Sequence, residues 1–260
     1  MKNISFRSVE LLPSYLFSKH ELNRKIMINE VYDRLVETGK IANFKFVYTE
    51  GGSVPKPYFY DESEVAKWIE AVAYILAKHD EPNLRKKAEQ LICDIISNQG
   101  DDGYFNIYFT VVDPENRFKK RNYHELFCLG HFIEAAIAWA ETTGKRDFLE
   151  AMERYVDYVH KVFVEEKSAA FTTPGHQEIE LALVKLWRYT GKRKYLETAQ
   201  FFIDMRGACE EPVADEYNQT HLPVREQREA LGHCVRAVYL YTGMALLAKE
   251  TGDKSLKEAL

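Results

Sequence analysis

Glu180-Leu181-Ala182-Leu183-Val184-Lys185-Leu186-Trp187-Arg188-Tyr189-Thr190-Gly191 decides how the chain is read. Leu181, Leu183, Val184, Leu186 and Trp187 recur at three- and four-residue steps, which lays one apolar stripe along a helix. Gly191 stops that helix, since glycine enters the left-handed cap conformation without a Cβ penalty. A second helix opens at once on Lys192-Arg193, with Tyr195, Leu196, Ala199, Phe202 and Ile203 on its apolar side. The unit is a helical hairpin, and its turn recurs. Thr143-Gly144-Lys145-Arg146-Asp147-Phe148-Leu149-Glu150 matches Thr190-Gly191-Lys192-Arg193-Lys194-Tyr195-Leu196-Glu197, and Thr251-Gly252-Asp253-Lys254-Ser255-Leu256-Lys257-Glu258 is a weaker third copy. Repeated hairpins build solenoids and α/α toroids. The copies stand 47 and then 61 residues apart, too uneven for a tight tetratricopeptide array. A toroid accommodates that step, because loops of different length rise from one rim and build a site.

Working outward, residues 18–37, 62–79, 82–98, 123–142, 146–163, 175–190, 193–206 and 225–250 read as helical. Three loop regions interrupt them, at 39–61, 99–122 and 207–224. Within the second, Phe105-Asn106-Ile107-Tyr108-Phe109 reads as a short strand after the Asp101-Asp102-Gly103 turn. No interdomain linker is visible, so residues 1–260 are read as a single all-α domain. Asp253 to Leu260 starts a fresh amphipathic helix with no closing Gly, Asn or Pro. The expectation is therefore an incomplete barrel, the N-terminal portion of something longer.

Composition narrows the function. The 260 residues carry 35 basic and 40 acidic side chains, a net charge of −5, with 46% apolar and 13% aromatic residues. That excludes a disordered chain and gives no clustered basic face for nucleic acid. The apolar runs are too short for a membrane span, and Arg7 and Glu10 interrupt any signal peptide, so a cytoplasmic chain is expected. Cys93, Cys128, Cys209 and Cys234 show no C-x-x-C spacing. Cys93, Cys128 and Cys234 lie in apolar helical patterns and read as buried free thiols; a zinc site made from the four alone is unsupported.

Histidines give the local clue to chemistry. His124 opens one helix and His131 follows two turns along the same face; His176 opens a second after Pro174-Gly175; His233 sits about two turns into a third. Each belongs to the first helix of a successive hairpin, and in a toroid those helices form the inner ring. A neutral imidazole offers one donor and one acceptor, which suits sugar hydroxyls. No helix shows an H-E-x-x-H or two-His-one-carboxylate pattern, so a metal is the weaker reading. Trp68, Tyr104, Tyr108, Phe109 and Tyr123 either stack on a sugar ring or fill the core. Asp61, Glu64, Glu70, Asp101, Asp102, Glu125, Glu178, Glu180, Glu226 and Glu229 supply carboxylates, of which no pair is singled out by spacing.

Six strings together resemble glycoside hydrolase family 127, the β-L-arabinofuranosidase group. They are Asp61-Glu62-Ser63-Glu64-Val65-Ala66-Lys67-Trp68-Ile69-Glu70, Gln99-Gly100-Asp101-Asp102-Gly103-Tyr104, His124-Glu125-Leu126-Phe127-Cys128-Leu129-Gly130-His131, Pro174-Gly175-His176-Gln177-Glu178-Ile179-Glu180-Leu181-Ala182-Leu183, His221-Leu222-Pro223-Val224-Arg225-Glu226-Gln227 and Gly232-His233-Cys234-Val235-Arg236-Ala237. The resemblance runs in order over nearly the whole chain. It implies an (α/α)6-barrel that hydrolyses β-L-arabinofuranosides with retention. It also implies a zinc-bound cysteine thiolate as nucleophile, a glutamate as general acid/base, and sugar-binding histidines that fall on His124, His176 and His233.

The family's nucleophile, zinc-ligand cysteines and acid/base glutamate belong to a later stretch of the barrel, and Cys128 and Cys234 do not match them. The resemblance therefore assigns no catalytic residue and no metal ligand to this chain. It implies an L-arabinofuranoside-type sugar as ligand and a polypeptide that is silent in isolation. An open barrel also exposes apolar inner and edge surfaces, so the chain is expected to self-associate, to pair with a second chain or to be marginally stable. A non-catalytic carbohydrate-binding module and a helical protein scaffold are the competing readings.

Overall fold

The computed structural model describes residues 6–208 and 214–260; Cys209 lies outside them. A short helical turn precedes α1 (Tyr15–Leu22), which passes through a π-helical turn into α2 (Ile28–Glu37) and a one-turn α3 (Lys40–Asn43). Four hairpins follow. They pair α4 (Asp61–Leu76) with α5 (Pro82–Ser97), α7 (Glu125–Thr143) with α8 (Asp147–His160), α9 (Ile179–Thr190) with α10 (Arg193–Met205), and α11 (Cys234–Thr251) with α12 (Lys254–Glu258). The one-turn α6 (Tyr108–Val111) lies in the loop after α5.

The first helices of the hairpins form the inner ring, α4 against α7, α7 against α9 and α9 against α11. They run parallel. At their N-terminal ends the Tyr60 ring packs on His124, and at their C-terminal ends Thr142 Oγ1 donates to the Ala73 carbonyl at 3.1 Å. An inner helix touches neighbours on nearly every side. Accordingly α7 buries Leu126, Phe127, Leu129, Phe132, Ile133, Ala136 and Trp139, which no single stripe could hold. The outer helices α5, α8 and α10 keep one apolar face each, and one contiguous core unites all of them. The result is an incomplete α/α barrel.

The Thr-Gly repeat has one geometry in all three copies. Gly144, Gly191 and Gly252 take φ of 76°, 75° and 74°, and each amide donates to the carbonyl four residues back. Thr143, Thr190 and Thr251 each donate Oγ1 to the carbonyl four residues back and accept from the amide two residues on. One threonine thus satisfies a terminal carbonyl and the first amide of the turn, and the glycine reverses the chain.

Three local expectations fail. Residues 105–109 form no strand: Asn106 Oδ1 accepts from Phe109 N at 2.9 Å and winds the segment into α6. The last long helix starts at Cys234, because residues 225–233 form turns closed by Gly232, whose φ is 76° and where a Cβ would meet Glu216 O at 1.9 Å. His233 is therefore the N-cap of α11 and does not lie two turns inside a helix. Among the described residues only Cys128 is a buried thiol; Cys93 and Cys234 are exposed, on the faces of their helices turned from the core.

Candidate functional site

The N-terminal ends of the inner helices meet at one rim, and the three predicted histidines all lie there. His124 is the N-cap of α7 and holds a left-handed φ of 59°, an uncommon conformation for a side chain with a Cβ. Its Nδ1 donates to Asn122 O at 2.7 Å. His176 sits two residues before the cap of α9. Gly175 lets that turn close, because a Cβ there would fall 2.5 Å from both Arg121 O and Asn122 Oδ1. His176 Nδ1 donates to Gln177 O at 2.8 Å. His233 Nδ1 instead accepts from Arg236 N at 3.4 Å. The rings form a row, with centroids 5.4 Å apart for His124 and His176 and 6.3 Å for His176 and His233.

Aromatic rings wall the row. Phe127 lies 4.4 Å from His176 and Tyr239 lies 5.8 Å from it, Phe59 is 5.3 Å from His124, and Tyr217 is 5.2 Å from His233. Two cations border it, Lys67 over the Phe127 ring at 5.1 Å and Arg236 over the Tyr217 ring at 4.6 Å. Trp68, Tyr104 and Phe109 belong to the core: Trp68 Nε1 donates to Ile28 O, and Tyr104 OH donates to Glu125 at 2.6 Å. Tyr108 and Tyr123 are half-buried beside Phe59.

A buried polar layer fixes the rim from below. Arg206 is fully buried and donates to Asn218 O (3.0 Å), Pro174 O (2.8 Å) and Glu180 (3.2 Å). Gln177 Nε2 donates to Asn218 O and Gln219 Oε1, and Arg236 to Gly175 O and Asn218 Oδ1. These bonds tie the His176 turn to the loop before α11. Gln177, Glu180 and Arg236 fall inside the strings quoted above. Arg206 and Asn218 carry no sequence signal, since burial of a lone arginine at a helix end follows no periodicity.

Electrostatics makes His124, His131 and His176 neutral at pH 7. Burial pushes His124 down to about 4 and His131 and His176 to about 3, with nearby cations adding to it. Since Nδ1 of His124 and His176 carries the proton, their Nε2 atoms are acceptors, while His233 has its proton on Nε2 and is a donor. Buried carboxyls behave oppositely. Burial raises Glu62 to about 7 and Glu125 to about 8, and it raises Glu178 strongly. Glu125 is engaged by Tyr104 OH and Phe118 N, and Glu62 by Ile107 N. Glu178 is wedged against Gly130 of α7, 3.7 Å from His131 Nδ1.

The rim does not fit a zinc-thiolate centre. Burial raises the Cys128 thiol well above its usual range, so it stays protonated; it lies 3.8 Å from Phe59 O and 3.9 Å from Glu62. Among the described residues, the one group of three potential ligands gathered within 4.8 Å is His20, Glu21 and His79, which is not part of this rim.

Parallel inner helices whose first residues bring imidazoles and aromatic faces to one rim define an incomplete α/α barrel. The chain belongs to glycoside hydrolase family 127, matching its β-L-arabinofuranosidase catalytic domain over residues 8–260. A non-reducing end β-L-arabinofuranosidase of Bifidobacterium longum subsp. longum is 32% identical over 240 residues, 83% of this chain and 36% of that protein. A family 127 β-L-arabinofuranosidase from Geobacillus stearothermophilus T6 has a crystal structure that matches with TM-score 0.88 at 40% identity, covering 97% of this chain and 44% of that one. Another solved family 127 β-arabinofuranosidase matches with TM-score 0.87 at 35% identity, covering 98% and 41%. The chain thus spans less than half the length of these relatives. Among its described residues no helix is long and apolar enough to cross a membrane.

Proposed function

We propose that the rim of His124, His176 and His233 binds the furanose ring of a β-L-arabinofuranoside, and that the chain supplies this part of the pocket to a retaining glycosidase. The observation that carries the reading is the row of three imidazoles at the starts of successive inner helices, with His124 and His176 held neutral by burial. Two acceptor nitrogens and one donor nitrogen match adjacent sugar hydroxyls, each of which both donates and accepts. Phe127 and Tyr239 offer apolar faces to the C–H side of the ring, and Arg236 and Lys67 favour electron-rich oxygens. A hydroxyl left unmatched in such a site costs about 1–3 kcal/mol, which gives the pocket its selectivity.

On this reading the reacting groups, including the thiolate whose nucleophilicity a bound zinc would supply, come from outside these 260 residues. The carboxyls next to the rim are held in structural roles, and the Cys128 thiol is neutral and buried. Residues 1–260 alone then bind sugar and do not turn it over. The flank of α11 supports the same view. Val235 and Val238 are exposed there beside Leu181 and Tyr239, lining an apolar cleft of about 450 Å³. A closed ring covers such an edge with further hairpins, and without them a second chain takes their place.

Isothermal calorimetry with methyl β-L-arabinofuranoside tests the proposal. The folded chain is expected to bind one equivalent, His176→Ala to abolish the heat, and the parent to release no arabinose. Failure of the folded parent to bind the glycoside leaves a protein scaffold; retained binding by His176→Ala moves the sugar elsewhere.

A further inference from the structure

At the opposite end of the barrel, His20 on α1 faces His79, three residues past the end of α4. The two Nε2 atoms are 3.3 Å apart, and the Glu21 carboxylate completes a group whose ligand atoms all lie within 4.8 Å of one another. We propose that His20, Glu21 and His79 bind one zinc ion.

Geometry is the first argument. With metal–nitrogen bonds of about 2.0–2.1 Å, two imidazoles at a tetrahedral angle hold their nitrogens about 3.3–3.4 Å apart. The 3.3 Å between the two Nε2 atoms accommodates that arrangement with little movement. Two imidazoles and one carboxylate are the donor set that suits late first-row metals. His20 and His79 line a cleft of about 820 Å³ between residues 6–11, α1 and the end of α4, with room for water.

The carboxylate is the second argument. Glu21 pairs with Arg24 at 2.9 Å and with Lys25 at 2.8 Å. Arg24 grips Glu21 and Glu81 together, so settling on Glu81 alone releases a Glu21 oxygen for the metal. Without metal, the His20–His79 pair shares a single hydrogen bond; binding replaces that proton and clips α1 to α4. The site is separate from the sugar rim. Asp61 at the N-terminal end of α4 lies near that rim, and Leu76 closes this 16-residue helix, which is about 24 Å long.

The test uses metal-stripped protein and counts bound ions, so it does not depend on glycosidase activity. Wild type is titrated with Co²⁺ and with Zn²⁺, alongside His20→Gln, His79→Gln and Glu21→Gln. The expected result is a set of visible d–d bands of tetrahedral intensity, one equivalent fewer metal in each histidine variant, and at least tenfold weaker binding in Glu21→Gln. Zinc is expected to raise the melting temperature of the parent and not that of the histidine variants, since only the parent binds it when folded. Circular dichroism of the metal-free variants checks that they fold as the parent does. Equal stoichiometry in parent and histidine variants, or no saturable binding by the parent, overturns the proposal and leaves a plain imidazole–imidazole hydrogen bond.

Discussion

Replacing Gly130 by alanine probes the contact on which the rim rests. Gly130 lies on α7, one residue before His131, and the Glu178 carboxyl packs directly on its Cα. An added Cβ would sit 1.3 Å from Glu178 Oε2, 2.5 Å from its Cδ and 3.0 Å from the Ile179 amide nitrogen. Glu178 is fully buried and cannot swing into water, so α7 and α9 must part at their N-terminal ends. Overpacking a core by one methyl costs about 1–3 kcal/mol, and a clash that includes backbone belongs at the top of that range, about 3 kcal/mol. At about 2–4 °C per kcal/mol for a chain of this size, melting is expected to fall by about 6–12 °C. His176 lies two residues before Glu178, so glycoside affinity is expected to drop about tenfold. Scanning calorimetry and sugar titration read both effects. Glu178→Ala in the Gly130→Ala background vacates the contested volume and should recover more than about 1 kcal/mol relative to the sum of the single changes. A Gly130→Ala melting point within about 2 °C of the parent, or simple additivity in the double variant, would refute the reasoning.

Further expectations concern charge. Arg206→Ala strands Glu180 in the interior and should cost about 3–5 kcal/mol in urea unfolding, whereas Arg206→Met with Glu180→Leu should cost much less; equal losses would contradict this. Stability should peak between about pH 5 and 6.5. Glu62 and Glu125 keep their protons to about 7 and about 8, so the folded chain holds more protons than the unfolded one above about pH 4.5, and stability declines as pH rises to about 8. His124, His131 and His176 stay neutral down to about 4 and 3, so the unfolded chain takes up more protons below about pH 6.5 and stability declines on acidification. Unfolding at pH 4, 6 and 8 shows both arms, and a monotonic rise would count against the assignment. The contribution of His124 and His176 to sugar affinity should stay flat from pH 8 to 5, because these two imidazoles do not titrate there.

The hairpin architecture was legible because its turn is local chemistry. A threonine and a glycine satisfy and reverse each helix end, and that pair recurs visibly at residues 143, 190 and 251. The three rim histidines were legible through their strings, and the structure sets them in one row. Other features depend on distant partners. The start of α11 was misplaced because Gly232 must clear Glu216 O, a contact across 16 residues that no periodicity records. Asn106 turned an apparent strand into a helical turn by one side-chain bond. Cys93 and Cys234 looked buried because their helices are apolar on average, although each thiol faces outward. The buried Arg206 was invisible because nothing in a sequence announces a charge paid for by carbonyls 12 and 32 residues away.

The most direct test is a long-range ¹⁵N–¹H spectrum of the histidine rings, recorded at pH 7 with and without methyl β-L-arabinofuranoside. His124 and His176 are expected to be uncharged and protonated on Nδ1 before ligand is added. Glycoside should then shift Nε2 of His124, His176 and His233. Charge or a reversed tautomer on His124 or His176, or resonances that ignore saturating glycoside, would contradict the account.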